Sequence, residues 1–216
     1  MPLFTLKNVR FRDIIQYPDI EITADKTTFI CGESGSGKST LLKMLNGVIS
    51  PTEGLITCNG RNIEECETIM LRRENLLVGQ SVYLFDRSIK ENFDQYYAYR
   101  GLEPVSEQTV ESYLEICAVK LPLNSMCGVL SGGERHRIFI AVNLSYQPKV
   151  LMIDEPTSAL DDKNANALMR NLKSHCKASG ITLIVVSHDR EIAGQYADEI
   201  ITLGGGENGR GSNHLS

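Results

Sequence analysis

The sequence lacks a long apolar run. Its most apolar stretches, residues 181–186 and 138–142, are short, whereas a helix that spans a bilayer needs roughly 20 apolar residues. At the N-terminus no basic segment precedes an apolar run, as it would in a secretory signal. We therefore expect a cytosolic chain that does not cross a membrane by itself.

Metal-binding cysteine pairs and a basic surface are also missing. None of the six cysteines forms a C-x-x-C pair, which argues against a zinc site, and we expect reduced thiols. The 22 basic residues are outnumbered by 27 acidic ones, for a net charge of −5, so nothing in the composition indicates nucleic-acid binding. Proline and glycine are too scattered for a low-complexity chain, and a hydrophobic share of 42% over 216 residues fills the core of one domain.

Apolar strand patterns alternate with helical ones along most of the chain. The patterns predict strands at residues 3–11, 19–23, 27–31, 55–58, 76–78, 149–153, 181–186 and 200–203, and helices at 38–47, 63–73, 106–118, 131–145, 162–177 and 191–196. Such alternation indicates an α/β fold with a mainly parallel sheet. Residues 82–128 carry helical patterns without a strong strand, which favours a helical insertion.

A glycine-rich turn between a strand and a helix carries the first chemical signal. Residues 32–39 fit the pattern GxxxxGK[ST], in which backbone N–H groups curl around a polyphosphate at a helix N-terminus. Lys38 would reach the β- and γ-phosphates, and the Ser39 hydroxyl would ligate Mg²⁺. The predicted nucleotide-binding residues of this loop are Gly32, Glu33, Ser34, Gly35, Ser36, Gly37, Lys38, Ser39 and Thr40.

A buried strand that ends in two acids carries the second signal. Residues 150–155 read VLMIDE. A P-loop enzyme needs an acid at such a strand end to hold Mg²⁺, and Asp154 suits that role. Glu155 would polarise the attacking water as general base.

The stretch LSGGE at residues 130–134 has two compatible interpretations. Ser131 and Glu134 form a capping box that starts a helix. A serine hydroxyl and two glycines at a helix N-terminus also make an anion site.

With this stretch, residues 3–203 resemble the ATP-binding cassette (ABC) ATPases. The glycine loop is similar to the family's Walker A motif, residues 150–155 to Walker B, and LSGGE to its signature. Gln80 matches the Q-loop, residues 158–161 the D-loop and His188 the switch histidine, all in family order. The resemblance implies a P-loop NTPase core with a mainly parallel sheet, an N-terminal antiparallel β region and a helical subdomain. We therefore predict one domain over 1–203, with its core at 1–80 and 146–203, a helical subdomain at about 81–145, and a flexible tail at 204–216.

The resemblance also implies a mechanism. Two cassettes, as a homodimer, would pack head to tail around two Mg-ATP. The signature residues Ser131, Gly132, Gly133 and Glu134 of one copy would then close over the γ-phosphate held by the other. Gln80 would reach Mg²⁺ and the attacking water, His188 would contact the γ-phosphate and steady Glu155, and Asp161 would link the two sites.

The chain departs from the family where an aromatic residue usually stacks on adenine. The expected position, two residues after Phe11, holds Asp13. Phe11 and Tyr17 are the alternatives, and we predict Tyr17.

Residues 80–93, QSVYLFDRSIKENF, are similar to the exporter cassettes. In that family this surface touches the membrane domain, so Tyr83, Leu84 and Phe85 are candidates for a partner groove, with core packing as the alternative. Residues 124–128 lack the glycine- and glutamate-rich stretch of fused exporters. The chain therefore resembles a free-standing subunit that serves a separate transmembrane permease from the cytoplasmic face, similar to iron- or metal-export ATPase subunits.

Other classes fit less well. About fifty residues separate Gln80 from the signature, too few for the coiled coil of ABC proteins in DNA repair, and 216 residues leave no room for the two cassettes of translation factors. A small-molecule kinase would not need LSGGE. Intact Glu155 and His188 disfavour a binding module without hydrolysis.

Overall fold

The computed structural model describes residues 2–204. The strands are β1 (Pro2–Phe11), β2 (Ile15–Gln16), β3 (Ile20–Thr23), β4 (Thr27–Gly32), β5 (Glu53–Cys58), β6 (Arg61–Asn62), β7 (Asn75–Val78), β8 (Val150–Asp154), β9 (Thr182–Ser187) and β10 (Glu199–Leu203). The helices are α1 (Lys38–Leu45), α2 (Thr68–Glu74), α3 (Ile89–Tyr99), α4 (Glu107–Ile116), α5 (Gly132–Leu144), α6 (Asp162–Ser179) and α7 (Arg190–Tyr196).

A parallel sheet forms the centre, with strand order β10-β4-β9-β8-β7. Every residue of β8 and β9 is buried, as parallel strands covered on both faces require. In register, Asp154 lies beside Val186, so the ends of β8 and β9 meet at one edge. This edge positions the acids that follow β8 next to the residues that follow β9.

Alternate residues of the central strands enter two separate cores. Ile30, Met152 and Val186 pack with α1 and the antiparallel sheet β2-β1-β5-β6, in which β3 also pairs with β1. Phe29 and Ile153 pack with helices α3 to α7 on the other face. The result is a layered arrangement that confirms the predicted α/β fold with a parallel sheet and an antiparallel β region.

The segment between β7 and β8 holds α3, α4 and α5. Each begins at a serine N-cap, and Ser88 and Ser131 form full capping boxes with Glu91 and Glu134. These caps satisfy backbone N–H groups that the first turn leaves unpaired. A helix that would span a membrane is not present within residues 2–204.

Most predicted elements have the predicted type, but the helix expected at 63–73 is wrong. A 3₁₀ turn, Ile63–Glu65, and α2 replace it. The break occurs because the Glu67 carboxylate accepts hydrogen bonds from the N–H groups of Ile69 and Met70 and so starts a new helix. The tail predicted at 204–216 lies, apart from Gly204, outside the described residues.

Candidate active site

The glycine loop between β4 and α1 has backbone angles that other residues avoid. Gly35 and Gly37 have φ values of +83° and +91°, in the left-handed region that favours glycine. A Cβ atom on Gly37 would also overlap the Tyr17 hydroxyl and the Ile15 side chain. Glycine at position 37 therefore lets the loop turn tightly over β2 and present its N–H groups.

Lys38 lies inside this loop. Its side chain is buried, and Nζ donates to the carbonyl oxygens of Gly32 and Glu33, each at 2.8 Å. The Ser36 hydroxyl is also buried and has no hydrogen-bond partner among residues 2–204. A buried positive charge and an unpaired hydroxyl in a glycine loop at the N-terminus of a helix fit the phosphates of a nucleotide.

The two acids at the end of β8 are both buried. Asp154 is 5% exposed, and its Oδ1 lacks a hydrogen-bond partner in the described part of the chain. A carboxylate oxygen without a hydrogen-bond partner, in a cavity that Ser39 also lines, is the kind of ligand that Mg²⁺ binds together with phosphate oxygens. Asp154 and Ser39 therefore fit the predicted metal role.

Glu155 has an unusual backbone conformation. Its φ is +54°, which is rare for a residue with a side chain. Two contacts hold it there: its N–H donates to Val186 O at 3.0 Å, and Ser158 Oγ donates to its carbonyl oxygen at 3.2 Å. Backbone strain of this kind concentrates at functional sites.

His188, just after β9, contacts the Glu155 carboxylate. The distance from His188 Nδ1 to Glu155 Oε2 is 2.8 Å. The histidine side chain is 67% exposed, whereas that of Glu155 is 11% exposed. His188 can therefore orient the carboxylate while its other ring nitrogen faces the open side of the site.

One cavity of about 310 Å³ gathers most of the predicted residues. Its walls are Ile15, Ser34, Gly35, Gly37, Lys38, Ser39, Thr40, Gln80, Asp154, Glu155 and His188. A second cavity of about 300 Å³ shares Gln80, Glu155 and His188 and adds His136 and Ser158. Sequence reasoning missed Ile15 and His136, because no motif position marks them, whereas Ser158 begins the stretch that matches the D-loop.

The four signature residues, at positions 131–134, lie at the start of α5 and not in the walls of these two cavities. Ser131 and Gly132 are exposed at the start of α5, and within the described chain none of the four lines either cavity. The predicted capping box is confirmed: Ser131 N and Oγ donate to Glu134 Oε2 at 2.9 and 2.7 Å. These bonds lower the pKa of Glu134, so the carboxylate stays ionised.

Asp161 caps α6 and is exposed. Its carboxylate accepts from Asn164 N and Nδ2, each at 2.8 Å, and these bonds lower its pKa. The link it was predicted to make between two sites stays a prediction.

Tyr17 cannot stack on a base, which corrects the sequence prediction. The residue is 3% exposed, its ring belongs to the core beneath the loop, and its hydroxyl donates to Gly37 O at 2.9 Å. Burial raises its pKa to about 12. Tyr17 therefore supports the loop from below, and Ile15 is the apolar side chain that lines the cavity on this side.

Comparison with known proteins agrees with this geometry. Residues 15–158 match the ABC transporter family. The probable iron export ATP-binding protein FetA of Escherichia coli strain K12 is 30% identical over 206 residues, which cover 94% of this chain and 91% of that protein.

Two solved structures are similar in fold. One is cbiO1 of Clostridium perfringens, part of the ABC transporter complex cbiONQ, with a TM-score of 0.80 and 26% identity over 94% of this chain and 84% of that one. The other is a dimeric ATP-binding cassette in a post-hydrolysis state bound to ADP and phosphate, with a TM-score of 0.80 and 26% identity over 97% and 98% of the two chains. The chain therefore belongs to the ABC transporter family and is an ATP-hydrolysing cassette.

Proposed function

We propose that two copies of this chain sandwich two Mg-ATP and couple hydrolysis to transport by a separate membrane subunit. One observation carries the two-copy site: the catalytic acids, the Q-loop glutamine and the glycine loop share a cavity, while the signature that should complete it lies exposed and outside. A second chain could supply the missing wall.

In this proposal the glycine loop and Lys38 bind the phosphates. Lys38 exchanges its two carbonyl partners for β- and γ-phosphate oxygens, and the Ser36 hydroxyl gains a partner. Ser39 and Asp154 would hold Mg²⁺, which would neutralise charge on those oxygens. Gln80 reaches the same region from the end of β7.

Glu155 acts as the general base. Its carboxylate takes a proton from water as the water oxygen attacks the γ-phosphorus, and the bond from that phosphorus to the β-phosphate oxygen breaks to leave ADP. His188 holds the carboxylate through the 2.8 Å contact and faces the γ-phosphate. The buried, strained position of Glu155 supports this role, because it fixes the direction of the carboxylate.

The second copy contributes the signature. Ser131, Gly132 and Gly133 of that copy bring the N-terminus of α5 against the γ-phosphate, and Glu134 keeps the serine oriented. Asp161 lies at the start of α6, where it can reach across the contact between copies.

Mixing two inactive variants tests the two-copy site. Lys38→Ala should destroy the loop and Ser131→Arg the signature, so each variant alone should hydrolyse very little ATP. An equal mixture should recover about a quarter of the wild-type rate, because about half the dimers are mixed and each mixed dimer has one intact site. A mixture no faster than the two variants measured separately would contradict a site built from two chains.

An exposed aromatic cluster supports the membrane partner. Tyr83 and Tyr99 are 63% and 66% exposed. Phe85 lies between them, with ring centroids 5.0 Å from Tyr83 and 6.0 Å from Tyr99. Exposed apolar patches of this kind mark contact surfaces. Leu84, in contrast, is 3% exposed and packs in the core, so the core alternative holds for that residue.

Iron transport into membrane vesicles tests the direction of transport with the wild-type chain and the partner surface with Tyr83→Ser. We propose export, with iron or another metal ion as substrate, on the likeness of residues 80–93 to exporters and on the similarity to FetA. Inverted membrane vesicles that contain the wild-type chain should accumulate radioactive iron when ATP is added. Tyr83→Ser should reduce accumulation severalfold without changing the ATPase rate of the isolated chain, because it weakens only docking.

Leu55→Ser, at an exposed position of β5, is the control and should transport normally. Equal transport by Tyr83→Ser and wild type would contradict the docking surface. Loss of iron from wild-type vesicles on addition of ATP would contradict export. No binding of the chain to the cytoplasmic face of membranes would favour a soluble ABC ATPase.

A further inference from the structure

His136 lines the second cavity, and no motif position marks it. It belongs to α5, five residues after Ser131, and shares the cavity with Gln80, Glu155 and His188. The same three residues line the nucleotide cavity. His136 is therefore the residue of the signature helix that shares this cavity with the residues proposed to act in hydrolysis.

The ring of His136 has an unused polar atom. Nε2 is buried and has no hydrogen-bond partner within residues 2–204. Burial lowers the pKa of this histidine, although the charge of Asp154 opposes the shift. A neutral imidazole offers one donor and one acceptor, and a buried polar atom that stays unpaired is costly. The five residues that line the cavity all carry polar side chains. Because Nε2 is closed to solvent in the single chain, a partner or a bridging water reaches it only when the ring or a facing side chain moves.

Gln80 is the side chain in this cavity that can take a new partner most readily. Its residue is exposed at the end of β7, and no hydrogen bond to its side chain forms among the described residues. Glu155, in comparison, is already held by His188. A glutamine amide can pair with either tautomer of histidine, because it carries both a donor and an acceptor.

We propose that His136 is a positioning residue for ATP hydrolysis: in the two-copy state its Nε2, unpaired in the single chain, pairs with the Gln80 amide, directly or through one cavity water. The pairing fixes Gln80 toward the nucleotide cavity. Because Ser131 caps the helix that carries His136, a movement of α5 on contact with the second copy also moves the partner of Gln80. The inference rests on the proposed role of Gln80 in hydrolysis.

His175 provides a matched control for a merely structural role. It is also a partly buried histidine whose Nε2 lacks a partner in the described chain and whose pKa is lowered by burial. Its ring packs against Tyr113, with centroids 5.8 Å apart, and it lines neither cavity. Replacing it reproduces the loss of a buried imidazole without touching Gln80.

The test is a double-mutant cycle on steady-state ATP hydrolysis. His136→Leu should lower kcat about tenfold, the effect of one lost hydrogen bond, and leave KM for ATP within about twofold. His136→Gln should restore kcat to within about threefold of wild type, because an amide can replace the imidazole nitrogen. Gln80→Ala should lower kcat by at least as much, and the double variant His136→Leu/Gln80→Ala should be no slower than Gln80→Ala alone.

The results separate the pairing of His136 with Gln80 from the role of Gln80 itself. Additive effects in the double variant, or a His136→Gln as slow as His136→Leu, would overturn the pairing. Equal loss in His175→Leu, or full activity of His136→Leu, would overturn it as well. Full activity of Gln80→Ala would instead remove the proposed role of Gln80. Thermal unfolding midpoints of all variants identify any loss that comes from instability.

Discussion

Glu155→Gln is expected to lower ATP turnover by about a hundredfold or more, the range of a lost general base. The amide keeps the size of the side chain but cannot take a proton from the attacking water. ATP binding should stay within about twofold of wild type, because the loop and Lys38 are unchanged. The variant should therefore bind ATP and stall before hydrolysis.

Phosphate release and binding of a fluorescent ATP analogue measure the two effects separately. Glu191→Gln is the control, because Glu191 is an exposed acid at the start of α7, close in sequence to His188 but not in either cavity. It should hydrolyse ATP at the wild-type rate. Turnover of Glu155→Gln at a similar rate would mean that another group accepts the proton.

Lys38→Ala should act at the earlier step, the binding of nucleotide. The buried ammonium is the one loop group with a full positive charge, and charge-assisted hydrogen bonds to phosphates are the strong ones. We expect the affinity for ATP to fall about a hundredfold and turnover with it, from the loss of two such bonds.

Lys43→Ala gives the matched comparison. Lys43 is exposed on the same helix, one and a half turns further on, so its loss changes the charge of α1 but not the loop. It should bind and hydrolyse ATP as the wild type does. Equal affinity in Lys38→Ala and Lys43→Ala would contradict the phosphate-binding role of the loop.

Local sequence was enough to predict the loop and both acids. Gly35, Gly37 and Lys38 act through contacts within a few residues, and glycine at a left-handed φ leaves a clear sequence pattern. The contact between Glu155 and His188 could also be expected. Each residue directly follows a strand of the parallel sheet, and these two strands end at the same edge.

The sequence did not predict that the side chain of Tyr17 is buried. Tyr17 is two residues beyond the Ile15 that lines the cavity, and the short β1–β2 hairpin turns its ring into the core. Burial of this kind depends on tertiary packing. His136 was missed for the same reason: only the placement of α5 against β7 and β8 brings it to Gln80 and Glu155.

The mass of Glu155→Gln in solution tests the two-copy site most directly. With saturating ATP and Mg²⁺, light scattering should give twice the chain mass of 24.0 kDa, and a single chain mass without nucleotide. Adding Ser131→Arg to this variant should return it to the single mass, because the signature could no longer close. A Glu155→Gln chain that stays at 24.0 kDa with ATP bound, while the wild type hydrolyses normally, would contradict the sandwich of two copies.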